Sequence, residues 1–335
     1  MYDRLSAQAR GENPGLYAGA PHVIYRVNAG PGVNSLGFAD EEWTVAKTPG
    51  VVRIACLGAS TTQDGTAPGR PCYPFLLEKV LREDGLPDAA GATSVEVMNF
   101  GVNGWTSAET LVNYALDVRR FEPDVVIVQQ AVNDVWPRLW PGYVDDYRHY
   151  RAPWRDVAFG RFDGWLFQRS RLYALWRVRT TSWQELEDRN TQPIGDRRKV
   201  LGEAELEPET TRGFRGNLEA LVRAARADGA FVCLMTIPLD DSRTWGAKAV
   251  FPKLIAGTRE HNQVVREVAA SEAAREGRVA LIDIAADWDR DLAGTRPFFV
   301  DFCHVNAAGN EAKARKVAEV LRASGALERP SGEGD

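Results

Sequence analysis

The chain has 335 residues, 44% hydrophobic and 26% charged, an ordinary globular balance for one large domain with insertions or for two smaller ones, so disorder is not its default. A formal net charge of −5 argues against a general nucleic-acid-binding surface, which needs a clustered basic face. The longest apolar runs, 125–128 and 231–235, fall far short of the roughly 20 residues of a membrane-spanning helix, so no span is expected.

The opening MYDRLSAQARGENPG lacks the apolar stretch of a secretion signal, and a cytoplasmic protein is the resulting expectation. Residues 1–50, rich in Gly, Pro and Asn, read as a leader packing along the domain, with a short strand over 22–27. Five short apolar runs, 51–57, 95–100, 125–129, 231–237 and 279–284, then read as buried parallel strands, because each is β-branched or aromatic-rich and ends at polar or Gly/Pro punctuation. Helix-period segments alternate with them at 73–83, 108–119, 214–227 and 263–274, and a last one covers 307–321. This alternation predicts an α/β domain over 51–325, three layers around a central parallel five-stranded sheet, with functional groups at the carboxyl ends of the strands. Residues 326–335 read as a flexible tail. The cysteines Cys56, Cys72, Cys233 and Cys303 show no C-x-x-C spacing and read as free thiols.

Residues 135–210 interrupt the rhythm with six of the ten tryptophans (Trp136, Trp140, Trp154, Trp165, Trp176, Trp183). From Arg138 to Thr180 the interruption holds nine arginines against four acids and no lysine. As structure, its aromatics would pack an insertion onto the domain and its arginines would solvate it. As function, it would be a lid selecting the substrate, since insertions after strand ends surround the site.

Chemistry concentrates at the strand ends. After the first strand, Gly58-Ala59-Ser60-Thr61-Thr62 is a small-residue turn that can present a hydroxyl at the top of the sheet, although Ser and Thr in such a place are more often caps or turn formers. Serine is a poor nucleophile at neutral pH and needs an imidazole to take its proton and a carboxylate to orient that imidazole. Of four histidines, only His304 sits three residues after an aspartate, Asp301, at the expected carboxyl edge of the sheet. Acyl transfer also needs donors for an oxyanion. The second strand runs into Asn99-Phe100-Gly101-Val102-Asn103-Gly104-Trp105, where Gly104 allows close backbone approach, and the third runs into Gln129-Gln130-Ala131-Val132-Asn133-Asp134, which supplies an amide. Competing sites fit poorly. There is no G-x-G-x-x-G or G-K-[S/T], no basic residue lies in 58–65, Thr62 replaces the second glycine of G-x-S-x-G, and no His pair at i, i+4 suggests a metal.

In this order the residues resemble the four blocks of the SGNH (GDSL-type) hydrolases, matched here by Ser60, Gly104, Asn133 and His304, with Asp301 in the family's D-x-x-H arrangement. The resemblance covers most of 51–320, including Phe121-Glu122-Pro123-Asp124-Val125-Val126 before the third block and Gly309 after the histidine. It implies the flavodoxin-like SGNH fold, a nucleophilic Ser60 served by His304 and Asp301, and an oxyanion hole of the Ser60 N–H, the Gly104 N–H and the Asn133 amide, with no cofactor. Two departures remove no atom of that mechanism: Gly-Asp-Ser reads Gly58-Ala59-Ser60, and Gly-x-Asn-Asp reads Ala131-Val132-Asn133-Asp134, where the Ala131 methyl would narrow the pocket. The expected partner is a small-molecule ester, a small acyl group such as acetyl on a sugar or metabolite. Acyl transfer from the same site and a catalytically silent binding domain are the alternatives. Trp105, Trp136 and Arg138 are candidate substrate contacts, and the arginines, with Arg148 and Arg151 also near the third block, suggest an anionic substrate. Nothing in the pattern specifies an oligomer.

Overall fold

The computed structural model describes residues 2, 5–6, 17–64, 71–84, 92, 94–150, 161–180, 205–242 and 250–328. Arg151, Trp154, Trp183, the insertion at 151–160 and 181–204, and the tail at 329–335 lie outside the described residues.

Two short strands of the leader, β1 (Tyr17–Gly19) and β2 (Tyr25–Val27), pair antiparallel. The sheet follows as β3 (Val51–Gly58), β4 (Ser94–Gly101), β5 (Val125–Gln129), β6 (Phe231–Met235) and β7 (Val279–Ile282). All five run parallel in the order β4-β3-β5-β6-β7, the doubly wound arrangement expected from the strand–helix alternation. The helices that position the site are α1 (Ser60–Gln63), α2 (Tyr73–Glu83), α3 (Ser107–Leu116), α4 (Arg161–Arg169), α5 (Arg171–Thr180), α6 (Arg212–Ala227), α7 (Val250–Glu276) and α8 (Ala307–Ala323). No helix among the described residues is long and apolar enough to cross a membrane.

Strand side chains alternate between two cores, as the two-residue period of a pleated strand requires. Ala55, Leu57, Val126, Val128, Val232 and Leu234 face one, which is covered by α3, α6 and α7. Val52, Ile54, Cys56, Val125, Ile127 and Cys233 face the other, under α2 and α8. The leader closes the first core at its edge, where Phe38 and Trp43 pack on Phe100 at 5.0 and 4.5 Å between ring centroids. Buried Arg53 of β3 pins the leader by donating to the carbonyls of Val45 (2.9 Å) and Thr44 (2.8 Å), with Glu96 balancing its charge at 2.6 Å. Along the outer edge of β4, Glu78 accepts from the Val97 N–H and Asp40 from the Asn99 N–H, so those groups cannot recruit another strand.

Apart from small shifts of element ends, such as β6 stopping at Met235 rather than 237, three differences from the sequence expectation have a clear physical cause. β7 stops at Ile282 because Asp283 leaves the strand to cap the helix at Ile284–Arg290, accepting from the Ala286 N–H. α7 begins at Val250 rather than 263, because its buried face carries Thr258, His261 and Asn262 in place of an apolar stripe. Ala326 and Leu327, expected in the tail, are buried in the second core; Gly325, at φ +68°, ends α8 and folds the chain back.

Of the insertion's described tryptophans, Trp136 and Trp140 pack against the first core. Trp165 and Trp176, on the α4–α5 hairpin, are 53% and 54% exposed instead, because that hairpin buries Phe167 and Ala174 against Leu5 of the leader.

Candidate active site

The carboxyl ends of β3, β4 and β5 meet at the point where the strand order reverses, and α1 sits directly on them. That seat requires glycine at the strand end: a Cβ on Gly58 would lie 2.2 Å from Thr62 Oγ1 and 2.7 Å from the Gln129 carbonyl. The α1 turn is held from beneath by α8. Lys313, fully enclosed, donates to the Thr61 carbonyl at 2.9 Å and to Gln129 Oε1 at 3.1 Å, and burial pulls its ammonium down to about 8. Asn310 reaches Asp64, the left-handed residue that ends α1. Ser60 is therefore on a fixed support, half-buried at the start of the turn.

The segment after the last strand folds back on itself through a bridge between Phe299 and Val305, with the Val300 N–H on the His304 carbonyl at 2.9 Å. Asp301 shapes the tip: its Oδ1 accepts from the N–H of Cys303 (2.9 Å) and of His304 (2.7 Å), leaving Oδ2 for the His304 ring at Nδ1, 2.7 Å away. His304 Nε2 lies 2.7 Å from Ser60 Oγ. A carboxylate only accepts, so Nδ1 carries the proton and Nε2 is free to accept from the serine hydroxyl. Burial alone would raise the Asp301 carboxyl, but the His304 hydrogen bond and charge and the two backbone N–H groups hold it below the usual range, so it stays ionised. The arrangement is a hydrogen-bonded relay in which the imidazole can take the hydroxyl proton while the ionised carboxylate fixes the ring's tautomer and faces the cation that would form.

The facing side comes from the loops after β4 and β5. Gly104 has φ +80°, a region that excludes most other residues. Asn133 donates one amide hydrogen to the Trp105 carbonyl at 2.9 Å, which orients the amide and leaves its second N–H available. Among the described residues, the Ser60 and Gly104 N–H groups have no protein acceptor. Asp134 ties the two loops together by accepting from the Ser107 N–H at 3.1 Å and from the Tyr147 hydroxyl at 3.0 Å. Complete burial raises its carboxyl from 3.8 to about 7 despite these hydrogen bonds.

The candidate substrate contacts fare differently from the five residues of the relay and its facing loops. Arg138 has no exposed side-chain surface; its guanidinium donates to Thr210 Oγ1 at 2.8 Å, pairs with Glu260 and meets His261 Nε2 at 3.3 Å. The expectation of an anionic substrate held by Arg138 is corrected accordingly, because its donors are engaged inside the protein. Trp105 is 1% exposed and donates its indole N–H to the Tyr25 carbonyl at 3.0 Å, so it braces the loop rather than lining a pocket. Trp136 packs on the first core, and Arg148 pairs with Asp146 at the surface. The Ala131 methyl is likewise buried in the first core rather than directed at a pocket. His261 donates to the Ala131 carbonyl at 2.8 Å and stays neutral, since burial and the Arg138 charge push it down to about 3.

Asp301, Cys303 and His304 offer three potential metal ligands within 4.8 Å of one another. A cation there would have to break the Asp301–His304 hydrogen bond and ionise Cys303, whose thiol burial holds well above its ordinary value. Sequence patterns did not disclose Tyr25, Gln63 or Lys313, which touch the site loops from distant positions and follow no local spacing.

A three-layer α/β/α fold with these groups at the switch point defines an SGNH-type architecture. Residues 56–312 match the GDSL-like lipase/acylhydrolase family, and the chain belongs to it, which makes its broad activity that of an ester hydrolase. No curated protein matches the sequence. Similar solved structures include the lipase/acylhydrolase from Enterococcus faecalis, at 16% identity over 81% of this chain and 96% of that one, with a TM-score of 0.48. The acetylxylan esterase Axe2 from Geobacillus stearothermophilus shares 15% identity over 82% of this chain and 94% of its own, with a TM-score of 0.47. The acetyl xylan esterase AlAXEase shares 16% over 81% and 100%, also at 0.47. Likeness at this level says nothing about substrate.

Proposed function

We propose that the protein hydrolyses carboxylic esters of small acyl groups, acetyl foremost, on a sugar or small metabolite, through an acyl-Ser60 intermediate. The observation that carries this reading is the continuous hydrogen-bonded chain Ser60–His304–Asp301, both links at 2.7 Å. Ser60 Oγ attacks the ester carbonyl as its proton passes to His304 Nε2, and Asp301 stabilises the imidazolium. The oxyanion takes the Ser60 N–H, the Gly104 N–H and the second amide hydrogen of Asn133. Collapse expels the alcohol, which receives the proton from His304. Water, deprotonated by the same imidazole, then attacks the acyl-serine and releases the acid. The residues next to Ser60 in its turn, Ala59, Thr61 and Thr62, are buried, so Ser60 is the residue of that turn that a substrate can reach. The four free thiols suit a reducing compartment such as the cytoplasm.

The test is reaction with a fluorophosphonate followed by peptide mapping: a single adduct at Ser60 is expected, and an adduct elsewhere or none overturns the assignment. Product analysis with added alcohols sets the acceptor. Acid release indifferent to alcohol is expected, and acyl esters of the added alcohol would make the protein a transferase.

A further inference from the structure

We propose that Tyr25, a leader residue outside the four motif blocks, is the positioning residue of the oxyanion hole; this rests on the acyl-Ser60 reading above. Its hydroxyl donates to the Asn103 carbonyl at 2.7 Å. That carbonyl and the Gly104 N–H are the two ends of one trans peptide plane, so fixing the oxygen on one side directs the N–H to the opposite side. A hydrogen bond to the oxygen also draws electron density along the amide and makes its N–H a stronger donor.

The preceding peptide is clamped as well, because Gln63 Oε1 accepts from the Asn103 N–H at 2.6 Å. The tyrosine hydroxyl lies against Gly104 itself: a Cβ there would be 2.4 Å from it, so tyrosine and glycine fit as a pair. Tyr25 holds the far side of the loop too, since its backbone carbonyl accepts from the Trp105 indole at 3.0 Å, and the Trp105 carbonyl in turn orients Asn133. Two of the three oxyanion donors thus trace back to one buried residue. Its own placement is firm. The ring is 5% exposed and lies 4.9 Å from that of Tyr17, and the adjacent Arg26 anchors β2 to α3 through Asn113 at 3.0 Å.

Tyr25→Phe keeps the ring and removes the donor. With active sites counted by fluorophosphonate titration, kcat per site is expected to fall about ten-fold with KM within about two-fold, a share of the hundred-fold or more lost when an oxyanion donor itself is removed. A boronic acid that mimics the tetrahedral intermediate should weaken in parallel while the product acid binds unchanged, a split that mere loosening of the fold would not give. Unchanged kcat per site and unchanged boronate affinity would overturn the proposal. Should the phenylalanine variant fold poorly, 3-fluorotyrosine placed at position 25, a stronger donor while protonated, is expected to match or exceed the wild-type kcat, and a ten-fold loss would count against the proposal. Labelling at Ser60 in both proteins keeps the acyl-serine reading intact whatever Tyr25→Phe does; no labelling at Ser60 in either removes that reading and this one together.

Discussion

Asn133 shows how a single amide can serve two ends. One hydrogen is engaged by the Trp105 carbonyl at 2.9 Å, so the group is oriented before any substrate arrives, and under the proposed mechanism the other hydrogen would need no reorganisation to meet a developing charge. Asn133→Ala should therefore lower kcat by about a hundred- to a thousand-fold with a much smaller change in KM, measured as initial rates on an activated acetyl ester. A rise in KM at constant kcat would contradict it. Ser60, Gly104, Asn133, Asp301 and His304 were legible because each stands immediately beyond a strand or beside a helix start, where local pattern and chain order suffice to place it. Tyr25, Gln63 and Lys313 were not, since a tyrosine hydrogen-bonded to Asn103 or a lysine to Thr61 is created by tertiary packing.

At the scale of elements, the arginine-rich stretch was read from composition, and composition does not say which way a guanidinium turns. Arg138 leaves the single turn at Val135–Arg138 and reaches Thr210 before α6 and Glu260 on α7, joining three segments that the sequence separates widely. Arg138→Met should lower unfolding free energy by about 3 kcal/mol, the lower end for breaking a buried pair, since Glu260 retains solvent contact. Rates on neutral and anionic esters, per folded molecule, should change by the same factor; selective loss of the anionic ester would restore a substrate role to Arg138. The same network explains why the first half of α7 was missed. His261 and Asn262 face inward to satisfy the Ala131 carbonyl and the backbone of Ile237, so the polar residues that broke the apolar period are the ones the interior needs. The five strands, by contrast, were legible to within two residues at either end, because strands buried on both faces leave continuous β-branched runs.

Over the whole molecule, fully buried Asp134 makes stability depend on pH in a calculable direction. Its carboxyl sits at about 7 in the folded chain against 3.8 ordinarily, so between those values the native state holds a proton that the unfolded chain releases. Stability from this group is thus present below about pH 4 and is lost as pH rises to about 7, at up to about 1.4 kcal/mol per pH unit. Urea midpoints of the wild type and Asp134→Asn, compared from pH 4.5 to 7.5, should show the wild type losing ground to the variant as pH rises; a constant or widening wild-type advantage would contradict this. The leader illustrates what composition leaves out at this scale. Gly, Pro and Asn content marked residues 1–50 as a leader packing along the domain with one short strand, but not that its described part forms one wall of the first core and one side of the candidate site.

The central claim, an acyl-serine at Ser60, is tested most directly by quenching the protein in acid during turnover of an acetyl ester and mapping the acetyl group by peptide mass. Acetylation of the peptide carrying Ser60, absent from a Ser60→Ala variant that has also lost turnover, is the predicted result. Acetyl on another residue, or turnover in Ser60→Ala at the wild-type rate, would contradict the account.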